Sequence, residues 1–540
     1  VTTTPPRTQA APQDEWYSPL THRQILSILS GLLMGMFLAA LDNTILSTAI
    51  RTIADDLQGL SMQAWATTAY LITATIATPI YGKLSDIYGR KPLFLTAITV
   101  FLVGSLACTL AQSMYSLAAF RALQGLGGGG LMSLAITIIG DIVAPRKRAK
   151  YQGYIVAMFA LASVLGPVVG GLFAGMDTLA GIAGWRWVFG INVPIGIAAL
   201  FVVFKVLNVP HERQRHRIDW RGAVFLACSV FPLLLVAEQG REWGWGSIPA
   251  LACYATVAVG ITLFLWVERR MGDAALIPMR LFRNSTFSVA IVASTLIGVG
   301  LFGSVTLIPQ YLQIVHGYSP TQAGLLTVPM MLGIMTGTTI TGRVIAATGR
   351  YKILPVTGTA CIAVGSLLFA QVSWDSQLWH PLTAMAVMGF GLGGCMQTLV
   401  ITAQNAGPRR DMGVSTASAT FFRQIGGTLG VAVFLSILFS TLTHNIHNAA
   451  ARLGIGPGEL ANGETDIMRD SSFLKDLPVE QAQPFLMGFS ESVTLVFYVA
   501  AGVAVTAFVL LLFMREIPLA DASSDSGRSD DRRPEATHGR

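Results

Sequence analysis

Charge is what this sequence has least of. Only 12% of its 540 residues are Asp, Glu, Lys or Arg, against roughly 25% in an ordinary soluble protein. A surface so poor in charge cannot be kept in water, so most of it must face lipid. No segment is polar over the length of a soluble domain. The five cysteines, Cys108, Cys228, Cys253, Cys361 and Cys395, all sit in apolar runs without metal-ligand spacing, which reads as packing rather than disulfide or metal chemistry. No Gly-x-x-x-x-Gly-Lys-Ser/Thr loop is present, so ATP is excluded as an energy source. No cluster of His, Cys, Asp and Ser converges at membrane depth, which argues against an enzyme, and no cofactor is expected. The first 22 residues, rich in Pro, Thr and Gln, have no apolar core, so a cleavable signal peptide is not expected.

What fills the chain instead is apolar sequence: 52% of residues are hydrophobic and the mean hydropathy is +0.58. A membrane-crossing helix needs about 20 mostly apolar residues. Such runs lie near 25–50, 63–82, 93–111, 117–139, 151–173, 188–207, 220–238, 248–267, 286–306, 322–341, 353–372, 381–401, 413–440 and 490–513. The expectation is an all-α membrane protein with fourteen spans. The formal net charge of +7 does not point to nucleic acid, because the basic residues fall in short loops between spans. Alternate loops hold twenty-one Lys and Arg, from Lys83, Arg90 and Lys91 through Arg409 and Arg410, while the opposite loops hold six. The positive-inside rule then places both termini in the cytoplasm and makes 443–488 the one long external loop, long enough to contact an accessory export protein.

The chain also repeats itself. Gly82 and Gly89-Arg90 enclose six residues, as do Gly342 and Gly349-Arg350. Gly125, Gly127, Gly129, Gly130 and Met132 recur in the same pattern at Gly389, Gly391, Gly393, Gly394 and Met396. The expected organisation is a cytoplasmic tail over 1–24, a six-helix half over 25–207, two inserted helices within 208–284, a second six-helix half over 285–515 and a cytoplasmic tail over 516–540. Two similar bundles rocking about a site at their interface are what an alternating-access transporter needs.

In its motifs the sequence resembles the major facilitator superfamily, and within it the fourteen-span drug:proton antiporters of the EmrB/QacA kind. The resemblance is carried by Leu41-Asp42-Asn43-Thr44-Ile45 in the first span and by the loop Gly82-Lys83-Leu84-Ser85-Asp86-Ile87-Tyr88-Gly89-Arg90-Lys91. It continues in Arg121 with Gln124-Gly125 in the fourth span, and in Gly153, Gly166-Pro167 and Gly170-Gly171 in the fifth. Trp185-Arg186-Trp187, Ile191-Asn192-Val193-Pro194 and Arg423-Gln424-Ile425-Gly426-Gly427 complete it. Ala162 stands where the fifth-span motif usually has Gly. The resemblance implies the major facilitator fold in an inner (cytoplasmic) membrane. It also implies export of small, largely apolar or cationic molecules in exchange for protons. An exporter or uptake symporter of a specific lipid, siderophore or metabolite, and a non-transporting partner of an export complex, are the rival readings.

The residues suggest roles. An Asp at the centre of a membrane costs about 2.5–3.5 kcal/mol on insertion scales, so Asp42 must face a cavity or a partner. It reads either as the proton-exchanging carboxyl or as an acid hydrogen-bonded to neighbouring helices. Arg121 is expected at similar depth, tuning Asp42, unless it snorkels to the outer headgroups. Asp86, Arg90 and Lys91, with Gly82 and Gly89 permitting a tight turn, are expected to form a cytoplasmic latch in which Asp86 meets a helix N-terminus of the other half. The small residues of span 5 suit close helix approach, and Pro167 suits a kink. Arg423 is a candidate for the latch. Glu238 reads as an interfacial residue, with proton relay the alternative. Tyr70, Met158, Phe159 and Met396 are candidates for either the substrate cavity or helix packing.

Overall fold

In lipid every backbone polar group must find a partner inside its own segment, which leaves the helix as the natural form for apolar runs of this length. The computed structural model describes residues 21–58, 62–143, 145–208, 219–318, 320–455 and 478–517. The first half comprises α1 (His22–Asp56), α2 (Gln63–Tyr88), α3 (Arg90–Thr109), α4 (Met114–Ile142), α5 (Pro145–Ala174), the short α6 (Trp187–Gly190) and α7 (Asn192–Val206). Next come α8 (Trp220–Trp243) and α9 (Ile248–Met271). The second half holds α10 (Ser285–Ile314), the short α11 (Pro320–Leu326), α12 (Val328–Thr348), α13 (Ile353–Phe369), α14 (Trp379–Ala406), α15 (Met412–Leu453) and α16 (Val479–Leu512). A two-stranded antiparallel hairpin pairs Thr178 with Ala183 and Leu179 with Ile182.

A helix covers each of the fourteen apolar runs. Among the described residues, twelve helices are long and apolar enough to cross a membrane. α13 is apolar but has 17 residues. α2 is not among the twelve; five threonines, Lys83 and Asp86 dilute its apolar content.

Helix ends follow local chemistry. Thr21 caps α1 in a capping box with Gln24, and Ser113 caps α4 in another with Ser116, each satisfying amides that the first turn leaves unpaired. Gly89 joins α2 to α3 at φ 97°, a conformation that costs a side chain dearly.

The glycine repeat explains how the bundles pack. On α4, a Cβ at Gly125 or Gly129 would strike the backbone of α2, at the Tyr70 and Ala74 carbonyls. One at Gly127 would strike Phe101 and Ala97 of α3, and one at Gly130 would meet Ala97 and the Tyr81 ring of α2. On α14, Gly389 and Gly393 meet Met330 and Ile334 of α12, while Gly391 and Gly394 meet α13 at Gly358 and Leu354. The sequence repeat is therefore a packing repeat: one glycine-lined helix in each half, clasped by the two helices before it. Separate apolar cores fill the two halves. A third, smaller core forms where α8 lays Leu226, Val230 and Leu234 against Ile72 of α2 and Phe421 of α15. The inserted pair thus docks through α8 on both halves at their seam.

Two expectations need correction. The stretch 443–488 is not all loop: α15 continues to Leu453 and α16 begins at Val479. At 1.5 Å per residue, the 42 residues of α15 span roughly 60 Å, about twice a hydrocarbon core. The expected loop shrinks to residues 454–478, of which 456–477 lie outside the described residues. The tails 1–20 and 518–540 do so as well. Second, the small residues of span 5 do not act alike. Gly166 and Gly170 lie against Thr44, Ile45 and Thr48 of α1, but a Cβ at Gly153 or Gly171 meets nothing within 4 Å. Only the first pair mediates close approach. The helix continues through position 167, and the side chain of Pro167 lies outside the described residues.

Gly129→Leu should therefore cost at least about 1–3 kcal/mol of overpacking and lower the melting temperature in fluorescence-detected size exclusion. Gly153→Ala and Gly171→Ala should melt within a degree or two of wild type. A tolerated Gly129→Leu would contradict the packing described.

Candidate functional site

The deepest polar group of the first half is an ion pair. Asp42, on α1, is 1% exposed and Arg121, on α4, is 0% exposed. Arg121 Nη1 donates to Asp42 Oδ2. The other carboxylate oxygen accepts from Gln124 Nε2 at 2.8 Å and from Asn192 Nδ2 at 2.7 Å. The guanidinium is equally well held: Nε donates to the Ala66 carbonyl at 3.0 Å, Nη1 to Gln124 Oε1 at 2.8 Å and Nη2 to Asn43 Oδ1 at 3.4 Å. The Tyr70 ring covers it at 4.3 Å. Asn192 also donates to Ser105 Oγ at 2.9 Å. Four long helices and the start of α7 thus contribute to the network around this ion pair.

The arrangement follows from the cost of burying charge. Desolvating two ions is repaid only by good geometry with the remaining donors and acceptors satisfied. Both Asp42 oxygens are engaged, and the Asn192 carbonyl oxygen is the one buried atom of the group without a partner. Gln124, expected only as part of a motif, serves both ions. Asn192 stands in the sequence reading only as part of a motif, and Tyr70 as a candidate for either the cavity or packing. A lone amide inside an apolar span was the signal for Asn192. Tyr70 belongs to the wall around Arg121 rather than to an open cavity. Met158 is likewise buried in the first-half core. In the second half the Arg121 counterpart, Met385, is fully buried in an apolar core.

A second cluster lies at the end bearing the basic loops. Asp86 Oδ1 accepts from the Gly413 amide at 3.2 Å and Oδ2 from the Val414 amide at 3.0 Å. Its carboxylate therefore sits on the N-terminus of α15, where free amides and the helix dipole favour negative charge. Arg90 bridges Asp86 at 2.6 Å and Asp141 of α4 at 2.6 Å. Gly82 touches Ala417 and the Gly413 carbonyl, so α2 and α15 meet backbone to backbone. Close by, Gln404 of α14 donates to Thr416 at 2.7 Å and lies against Gly140 of α4. The two halves are closed on each other at this end.

Two expected latch members are placed elsewhere. Lys91 donates to Asn208 at 2.7 Å and rests over Phe204, bracing the end of α7 within its own half. Arg423 is ten residues along α15 from Gly413, roughly 15 Å at 1.5 Å per residue. Its carbonyl lies against Gly298 of α10, so it does not join the latch. Glu238 is exposed on α8, outside the Asp42 network.

The inserted region adds residues that the sequence reading passed over. Lys83 Nζ donates to the Asp273 carbonyl at 2.9 Å, and Arg280 pairs with Asp273 and Asp411, each at 2.6 Å. Buried Glu268 accepts from the Leu276 and Ile277 amides at 3.2 and 3.1 Å, folding the loop after α9 into place. Among the described residues no group of three or more His, Cys, Asp or Glu is placed to hold a metal.

Asp42→Asn or Arg121→Met alone leaves one buried ion uncompensated and should cost about 3–5 kcal/mol. The double variant should be more stable than the sum of the singles predicts. Unfolding curves of the four proteins in detergent check this double-mutant cycle.

A family model described as Major Facilitator Superfamily matches residues 32–431. Multidrug resistance protein 3 of Bacillus subtilis (strain 168) is 34% identical over 491 residues, covering 90% of this chain and 94% of that protein. Multidrug transporter protein MdtP of the same organism is 36% identical over 412 residues, 76% of this chain and 75% of that one. An uncharacterized MFS-type transporter of Mycobacterium tuberculosis (strain ATCC 25618 / H37Rv) is 36% identical over 503 residues, 92% of this chain and 71% of that one. In fold alone the chain is similar to the proton:xylose symporter XylE, with TM-score 0.59 and 16% identity over 92% of this chain and 96% of that one. The chain belongs to the major facilitator superfamily and is a multi-pass membrane transporter of that type.

Proposed function

We propose that the protein is a proton-coupled exporter of small, largely apolar or cationic compounds, working by alternating access in the cytoplasmic membrane. Support for export comes from relatives named for multidrug resistance and efflux. We count fourteen crossings: α2 and α13 each pack on a glycine-lined helix of their own half, as crossing helices do. The basic-loop bias then keeps both termini cytoplasmic.

The observation that carries proton coupling is the buried Asp42–Arg121 pair. An ionised Asp42 satisfies Arg121, Gln124 and Asn192 at once. A proton on Asp42 removes the counter-charge, leaves a desolvated guanidinium and so favours a different arrangement of α1 against α4 and α7. Proton loading and bundle movement are thereby the same event. Each proton moving inward supplies about 2.3 kcal/mol per 100 mV, enough for roughly 50-fold accumulation of a neutral cargo at ~1.4 kcal/mol per tenfold. The Asp86–α15 contact is the latch of the state closed towards the cytoplasm, and substrate entry requires its rupture.

The test is transport of ethidium by the purified full chain in liposomes with an imposed pH gradient and an internal pH dye. Wild type should couple dye efflux to proton entry. Asp42→Asn should lose gradient-driven accumulation by at least tenfold, and Asp42→Glu should recover part of it. Undiminished coupling in a well-folded Asp42→Asn protein would overturn the assignment.

A further inference from the structure

Far from the ion pair, α15 and α16 run on together beyond the length of a bilayer. Leu442, Ile446, Phe485 and Phe489 share one apolar core, and Asn445 Nδ2 donates to Ser492 Oγ at 2.9 Å. Beside this seam lies a cavity of about 550 Å³. Thr441, His444 and Asn445, at helical spacing on one face of α15, form one wall. Glu491, Leu495 and Tyr498, at i, i+4 and i+7 on α16, form the other. A second cavity of about 290 Å³, lined in part by Trp374 and Met487, opens on the same Glu491.

The groove is chemically graded. Thr441 lies 29 residues from the start of α15, roughly 45 Å along the axis, and so at the level where a ~30 Å hydrocarbon core has given way to headgroups. At its outer end stands one carboxylate, Glu491, 35% exposed and paired with Arg452 Nη1 at 2.5 Å. Towards the bilayer, Leu495 and Tyr498 are 41% and 51% exposed, presenting an apolar and aromatic surface. Arg452, a cation on an aliphatic stem, is paired with this carboxylate and would compete with any other cation for it.

We infer that this groove binds an amphipathic organic cation, its charged end at Glu491 and its apolar body along Leu495 and Tyr498. An exported cation and the ammonium headgroup of a lipid share that chemistry. The site is separate from proton coupling, so its test needs no gradient.

Tetraphenylphosphonium binding to the full chain, measured by equilibrium dialysis in detergent, decides the matter. Glu491→Gln should weaken binding about two- to fivefold, the scale of an exposed ion pair. Arg452→Ala should tighten it by a similar factor, because the competing guanidinium is gone. Both positions are partly exposed, and matching size-exclusion profiles will show that both variants fold. Binding unchanged in either variant, or weakened in Arg452→Ala, overturns the inference. Nanodiscs of phosphatidylglycerol and of phosphatidylethanolamine distinguish the sources. Loss of the Glu491-dependent component only in phosphatidylethanolamine assigns the groove to lipid, and equal binding in both assigns it to the exported cation.

Discussion

A carboxylate and a guanidinium removed from water together are tolerable, and either one alone is not. That constraint organises the first half of this protein. Asp42 and Arg121 come from helices far apart in sequence, and they are held by Gln124, Asn192, Asn43 and the Ala66 carbonyl. Because each partner satisfies the others, no one helix can shift without leaving a polar atom bare. A network of this kind holds its helices in one arrangement while both groups carry their charges.

The opposite end of the molecule uses charge differently. Asp86 borrows the free amides of α15, so its contact is made across the two halves. The inserted α8 and α9 take part in this closure. The loop after α9 ties to α2 through Lys83 and to the start of α15 through Arg280 and Asp411, so the insertion is fastened to both halves.

Glycine sets the distances at which these contacts are made. The alternating glycines of α4 and α14 bring neighbouring backbones together, where apolar side chains would hold them further apart and lipid supplies no hydrophobic drive between helices. In the first half this closeness sets α2 and α3 against α4, beside the pair formed by Asp42 and Arg121. In the second half the same frame encloses Met385 and remains apolar. One architecture thus holds a charged core and an uncharged one.

Much of this was legible in the chain. Hydropathy marks the helices, because a run of apolar residues in lipid has no other backbone form open to it. The glycine spacing marks the repeat, since helical periodicity turns it into a face. Asp42, Arg121 and Asp86 stand out as charges where charge is expensive. Other features needed three dimensions. Asn192 joins the ion pair only because α7 packs beside α1 and α3. Lys91 and Arg423 look like latch residues in one dimension, yet their helices aim them elsewhere. Polarity marked 443–488 as a loop, but helix α15 continues there because its alternating Leu442, Ile446 and Ala450 find a partner in α16. Composition and period decide which segments are helices and which groups are costly. Only the packing of distant segments decides which of those groups meet, because partners hundreds of residues apart leave no local trace.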